Sequence, residues 1–261
     1  MNVGEDELSV LSRSNNRTRL LAALNEDQPL DRYELEARID ASRRTVTRVL
    51  ETLSDRGYVA KREAGYALTA FGSTIVDAHQ TYRDTAEVAD EFRPFLRRID
   101  SESFDLEPTA LRGAELTVAT ETSPYALLDR VLQLRARSTR IRELAPAIER
   151  KSIDQLATRL QSGEDVSVEV ILPEAALKEA QTHPEYASGQ RIIQESEAVD
   201  LFVYPELPSL FIGTMDDTTA LGAGVEGRPH ALVESQLAEL RTWAHAQLDE
   251  YRREATPIEE Y

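Results

Sequence analysis

The segment "SRRTVTR" at residues 42–48 sets Arg43, Arg44 and Arg48 around Thr45 and Thr47, with Ser42 in front. Guanidinium forks grip paired acceptors such as guanine O6 and N7 or two phosphate oxygens, and threonine offers both a hydroxyl and a methyl. That mixture suits a nucleic acid. A second basic pair, Lys61-Arg62, follows in the same stretch. The rest of the chain is acidic, with a formal net charge of −17 over 261 residues. Residues 1–75 hold 11 basic and 12 acidic residues, whereas the remainder holds 19 and 35. Such asymmetry implies that the two parts face different partners.

The elements around the arginines must present them. Leu8, Leu11, Leu20, Leu21 and Leu24 give a broken helical spacing over 5–24, and Gln28-Pro29 ends it, since proline lacks the donor. A short helix over Arg32–Ile39 is expected to bury Tyr33, Leu35 and Ile39 at least in part, and Asp40-Ala41-Ser42 to turn. Ser42 is a good N-cap for the next helix, whose Val46, Val49, Leu50 and Leu53 form a core-facing stripe. Arg43, Arg44, Thr47 and Arg48 then fall on the other face. Gly57 closes the helix, and Tyr58–Thr69 reads as a hairpin with Lys61-Arg62 near its tip. Helix, short helix, turn, basic helix and hairpin is the order of a winged helix-turn-helix. In that geometry the basic helix enters the major groove of double-stranded DNA and the wing lies near phosphate. The expected DNA-binding residues are Ser42, Arg43, Arg44, Thr45, Thr47, Arg48, Lys61 and Arg62.

The same residues carry a resemblance. "LSRSNNRTRLLAAL…PLDRYELEARIDASRRTVTRVLETLSDRGYVAKREAGYALTAFG" resembles the winged-helix end of archaeal regulators whose effector half is the methanogenesis regulatory protein middle domain. "IRELAP" (141–146), "VEVILPE" (168–174) and "ALGAGVEGRPHALVES" (220–235) extend it more loosely over the second half. The resemblance implies a ligand-responsive transcription regulator and leaves the ligand open.

Behind the hairpin, Ile75, Ala78, Tyr82, Thr85, Ala89, Phe92, Leu96 and Ile99 recur in steps of three and four, a coiled-coil-like seam with a kink expected at Pro94. The seam suits a homodimer through Ile75, Ala78, Tyr82, Ala89, Phe92 and Leu96; a helix packing on its own second domain is the other reading. The expected fold is multi-domain α/β, divided into 1–70 (winged helix-turn-helix), 71–108 (linking helix), 109–254 (mixed α/β effector domain) and a tail, 255–261. In the effector part, strand-like and helix-like segments alternate, with parallel strands first and an antiparallel edge after. A last helix is expected from an N-cap at Ser235.

Several strands end alike, at "LAP" (144–146), "LPE" (172–174) and "YPE" (204–206). Carboxyl ends of strands form the ligand crevice in open α/β sheets. Pro146, Glu174, Tyr204, Asp216, Asp217 and Glu234 are therefore the candidate ligand-binding residues, although acids and prolines at strand ends are also ordinary turn chemistry.

Other chemistry finds little support. Cysteine is absent, and His79, His183, His230 and His245 lack metal-ligand spacing. No P-loop or nucleophile elbow occurs, and "GAGVEG" (222–227) has no helix after it. Neither a catalytic residue, a metal nor a cofactor is expected. No apolar run approaches a membrane span and the N-terminus is acidic, so a cytoplasmic protein without a membrane partner is expected. Lysine occurs only at 61, 151 and 178. With the acidity, that points to a halophilic, archaeal source. The leading expectation is a DNA-binding regulator that senses a small-molecule effector. The alternative gives the second half to protein interaction, with no small ligand.

Overall fold

In the computed structural model, residue 11 and residues 14–100, 103–225 and 228–261 are described. Leu8, expected in the first helix, lies outside them, as do Glu226 and Gly227 of "GAGVEG". Contacts group the chain into two compact units, residues 1–87 and 88–261.

The N-terminal unit contains α1 (Asn15–Glu26), α2 (Arg32–Ile39), α3 (Arg43–Asp55), β1 (Val59–Arg62), β2 (Gly65–Leu68) and most of α4 (Ala70–Glu91). The helix expected over 5–24 is interrupted. Ser14 is extended in front of α1, and the Leu11 carbonyl accepts the Thr18 hydroxyl at 2.8 Å. Helix α2 starts at a capping box: the Asp31 carboxylate accepts the Glu34 N–H at 2.8 Å and Glu34 accepts the Asp31 N–H at 2.7 Å. Leu35 and Ile39 are buried, but Tyr33 is 80% exposed, so its assignment to the core was incorrect. Leu35 and Ile39 are one turn apart and define the inner side, whereas Tyr33 follows Arg32 directly and falls outside it. Asp40 ends α2 in the left-handed region (φ 52°). The core joins Leu20, Leu21 and Leu24 of α1 to Val46, Val49, Leu50 and Leu53 of α3, with Tyr58 beneath the hairpin.

The hairpin gains a third partner. Leu30 exchanges two backbone hydrogen bonds with Tyr66, at 3.0 and 2.8 Å. Gly65 sits there at φ +146°, and a Cβ on it would run into the Leu30 carbonyl. This unit has the winged helix-turn-helix architecture.

The C-terminal unit is an eight-stranded sheet in the order β10-β6-β5-β4-β7-β8-β9-β3. Its strands are β3 (Glu115–Val118), β4 (Arg140–Leu144), β5 (Ser167–Pro173), β6 (Val199–Tyr204), β7 (Leu210–Met215), β8 (Thr218–Val225), β9 (Arg228–Ser235) and β10 (Thr256–Pro257). Strands β4, β5 and β6 are mutually parallel; β7, β8, β9 and β3 are antiparallel. The fold class is therefore the expected multi-domain α/β. Residues 255–261 are not a loose tail, because Thr256 and Pro257 pair with β6 as an edge strand.

Side chains alternate between two apolar layers, as the period of a strand requires. On one face, α5 (Arg93–Leu96) and α10 (Ala238–Glu254) cover Leu144, Ile171, Phe202, Leu221 and Val233. On the other, α6 (Ala126–Arg137) covers Ile141, Val168, Ala220 and Leu232, beside α7 (Arg150–Gln161), α8 (Glu174–Gln181) and α9 (Ala187–Gln194). Helix α10 starts at Ala238 with Leu237 as its N-cap residue; Ser235 belongs to β9, and its hydroxyl accepts the Leu237 N–H at 3.1 Å. Ser235 thus ties off the strand.

The connection from β6 to β7 passes over the ends of β5 and β4, three strand spacings or roughly 14 Å. It does so in residues 205–209, "PELPS", as a short strap.

Pro94 lies in the first turn of α5, and Phe92 breaks the helix before it, as the kink required. The remainder of the seam divides. Ile75 packs on the N-terminal core. Phe92 is fully buried in the C-terminal core and Leu96 packs against that core, so neither is free to meet a second chain. Ala78 and Tyr82 are exposed and Ala89 is half-buried. Their spacing recorded burial without recording which partner supplies it.

Candidate nucleic-acid interface and ligand cavity

Helix α3 begins where the Ser42 hydroxyl accepts the Thr45 N–H at 3.3 Å and meets the Thr45 hydroxyl at 3.0 Å. With the apolar stripe turned inward, Arg43, Arg44, Thr45, Thr47, Arg48 and Glu51 line one shallow concave surface. The three arginines are exposed, and among the described residues none has an ion-pair partner. Lys61 and Arg62 are likewise exposed on β1 and, among the described residues, without a carboxylate partner. Several arginines elsewhere are held by acids: Arg130 by Glu234, Arg135 by Glu143, Arg142 by Glu169 and Asp249, Arg159 by Glu164. Five unpaired cations on one helix start and one wing, in so acidic a chain, form a surface made for polyanionic phosphate and for base edges.

In the C-terminal unit, a cavity of about 430 Å³ opens at the carboxyl ends of the parallel strands. Its roof is α6, through Leu127, Leu128 and Val131; its floor is Phe211 and Leu232 of the sheet. Gly222 and Gly224 leave the floor bare between them, and Leu207, Pro208 and Ser209 of the strap form one lip. A smaller cavity of about 110 Å³ lies beside it beneath α7 and α9. Both are bordered by Arg135, Ala145, Ala147, Glu149 and Ser152.

Helix α6 is pinned to the sheet at two points. Arg130 Nε donates to both Glu234 oxygens, at 2.8 and 2.9 Å. Arg135 bonds both oxygens of Glu143 through Nε (2.7 Å) and Nη2. Glu143 is only 1% exposed. At the end of α6, Arg159 Nη2 donates to the Ser138 carbonyl at 2.9 Å and Nη1 to the Arg135 carbonyl, an arrangement favoured at a helix C-terminus.

Of the candidate ligand residues, Pro146 lines the larger cavity. The others are occupied elsewhere. Glu174 pairs with Lys178, and that contact together with the Tyr261 hydroxyl holds its carboxyl below the usual range. Tyr204 shares its face with Phe202, toward α10, and meets Tyr251 edge-on at 5.0 Å; burial raises its pKa. Asp216 stands in the β7–β8 turn, at the opposite end of β4. Burial pushes its carboxyl up, but the Arg140 and Thr139 N–H groups outweigh that and leave it lowered. Asp217 meets Arg241 at 3.2 Å, and Glu234 is taken by Arg130. Turn and pairing chemistry claims all five.

Sequence reading missed Arg135, Glu143, Leu128 and Gly222. Glu143 carried a signal. In "RIREL" it shares a strand face with Ile141, and a carboxylate at an inward position of a central strand needs a buried cation. Leu128 and Gly222 carried none, because nothing in a helix or strand pattern marks where a layer is left unfilled.

Among the described residues, no helix is long and apolar enough to cross a membrane, and no group of three His, Asp or Glu could hold a metal ion. No curated protein matches the chain. Among solved structures, it is similar to TrmBL2, an archaeal chromatin protein, at 10% identity, 97% and 99% coverage of the two chains and a TM-score of 0.42. It is also similar to a MarR-family protein of Mycobacterium tuberculosis, at 25% identity, 33% and 70% coverage and a TM-score of 0.27. A polyphosphate kinase from Porphyromonas gingivalis matches at 13% identity, 57% and 24% coverage and a TM-score of 0.34. TM-scores below 0.5 are too low to establish a shared fold. Family models are firmer. The HVO_A0261 N-terminal domain matches residues 5–91, the winged-helix region. The middle domain of methanogenesis regulatory protein FilR1 matches residues 124–254, just over half of the 261-residue chain. With a basic winged helix in front and that domain behind, the chain belongs to the FilR1 middle-domain family and is a DNA-binding transcription regulator.

Proposed function

We propose that this regulator acts in the cytoplasm, recognises a specific operator through α3, and has its DNA affinity set by a small molecule held in the larger cavity of the α/β unit. The observation that carries the DNA half is the row of Arg43, Arg44 and Arg48, unpaired beside Thr45 and Thr47 on one exposed helix face. Arginine forks at the start of such a helix can read guanine edges, while Lys61 and Arg62 would hold phosphate. The ligand half is supported by the cavity at the strand ends, which falls in the size range of small-molecule sites. Occupancy would act by population shift, favouring whichever state of the protein binds the ligand better. The working form is a homodimer. It is joined through the face of α4 that bears Ala78, Tyr82, Thr85 and Ala89, and it sets two recognition helices against two half-sites.

Charge reversal tests the DNA half. DNA fragments recovered by mapping the protein on its genome are used in gel shifts with wild type and with Arg44→Glu/Arg48→Glu. Each lost base contact is worth about 1–3 kcal/mol, so affinity should fall about fivefold or more per arginine with the thermal melt unchanged. An unchanged shift refutes α3 as the reading helix.

A further inference from the structure

Resting on the reading of the larger cavity as the ligand site, we infer that its ligand is an uncharged, mainly apolar molecule bearing one hydrogen-bond acceptor. Charge decides this. The residues that border the cavity include two cations, Arg98 and Arg135, and two acids, Asp100 and Glu149. The Arg135 side chain is 16% exposed, and its charge is already matched by Glu143, through Nε and Nη2. An anion would enter a low-dielectric space whose buried cation is already neutralised. A cation would be set against the Arg135 guanidinium. Arg98 is half-buried and donates Nη1 to the Pro94 carbonyl, and Asp100 and Glu149 are exposed; away from these, between the apolar walls, an ion would be an uncompensated charge, which is costly, whereas a neutral molecule leaves the Arg135–Glu143 pair intact.

The walls fit the same answer. Leu127, Leu128 and Val131 above, with Phe211 and Leu232 below, offer an apolar slot. Gly222 keeps it open, since a Cβ there would stand 3.0 Å from Cβ of Phe211. Among the polar groups at the cavity's edge that lack a side-chain partner among the described residues, Nη1 of Arg135 and the Ser152 hydroxyl come from residues shared with the smaller cavity. Arg135 Nη1 can only donate, so it asks for a carbonyl, ether or hydroxyl oxygen. The geometry fits a neutral alcohol, ketone or ester with an aliphatic or aromatic body, seated against α6 beside Arg135.

The full chain is titrated with N-phenyl-1-naphthylamine, a neutral dye that brightens in apolar surroundings. 1-Octanol, octanoate and octylammonium then compete for it at about pH 8, where the acid is ionised. Potassium chloride at about 1 M shortens the Debye length to about 3 Å, so repulsion from the overall charge is screened. The dye should bind, octanol should displace it at about tenfold lower concentration than either ion, and Leu128→Trp should abolish binding. Circular dichroism checks that the variant folds, and the wild-type competition stands without it. Displacement by octanoate or octylammonium as readily as by octanol overturns the neutral class while leaving the cavity as a site. Absence of dye binding, or binding that a folded Leu128→Trp chain retains, overturns the cavity itself as a ligand site. The gel-shift result on α3 is unaffected by either.

Discussion

His245 on α10 lies with Nδ1 3.3 Å from Nη1 of Arg142. Arginine can only donate, so Nδ1 accepts and the ring is the neutral form carrying its proton on Nε2. Burial, then the positive charges of Arg142 and Arg241, lower its pKa, with Asp249 opposing them. A histidine lowered by folding contributes stability that is present above its unfolded value, about 6.5, and is lost as pH falls below it. The melting temperature should therefore drop between about pH 7 and pH 5.5, and His245→Gln should reduce that drop in thermal melts. An equal drop in the variant would place the proton uptake elsewhere, for example at His79 or His230, which burial also lowers. None of this was legible in the sequence. His245 read as one of four scattered histidines, and its partner stands 103 positions away on β4. By contrast, Arg43, Arg44 and Arg48 needed only a helix period to be placed on one face.

Local pattern made the wing legible, and local geometry limits what it tolerates. Gly65→Ala would need a left-handed φ and room that the Leu30 carbonyl occupies. We expect a loss of about 1 kcal/mol or more in denaturant melts, with weaker DNA binding at an unaltered α3. Stability equal to wild type would mean that the Leu30–Tyr66 bridge does not hold the wing. In the α/β unit, the alternation of strand-like and helix-like segments was legible, with parallel strands first and antiparallel ones after. The order of strands was another matter. Strand β3 comes first in the unit yet lies at the far edge beside β9, and two-residue β10 is too short to show a period. Among the ligand candidates, Pro146 lines the larger cavity while Tyr204 does not, for a related reason. They were chosen by position at strand ends, and position along a strand does not say which sheet face a side chain takes. Tyr204 faces α10, and the cavity lies under α6.

For the molecule as a whole, the seam over 75–99 shows how far periodicity reaches. Steps of three and four report that a helix side is covered, and here the chain's own cores cover both ends of it, through Ile75 at one and Phe92 and Leu96 at the other. Only the middle is open, where Tyr82 is 63% exposed. Tyr82→Glu should shift the protein toward monomer in sedimentation equilibrium and weaken binding to a two-half-site operator more than to a single half-site. A monomeric wild type would remove α4 as a dimer contact. The far edge of the sheet has a consequence for how the chain is made. Glu115 of β3 pairs with Glu234 of β9, so on the ribosome β3 emerges long before its partner exists. Closing so long a loop is slow, and an unpaired strand invites the wrong neighbour in the meantime. Its four residues, "ELTV", with a carboxylate at the first, keep that waiting strand short and poorly adhesive until β9 arrives.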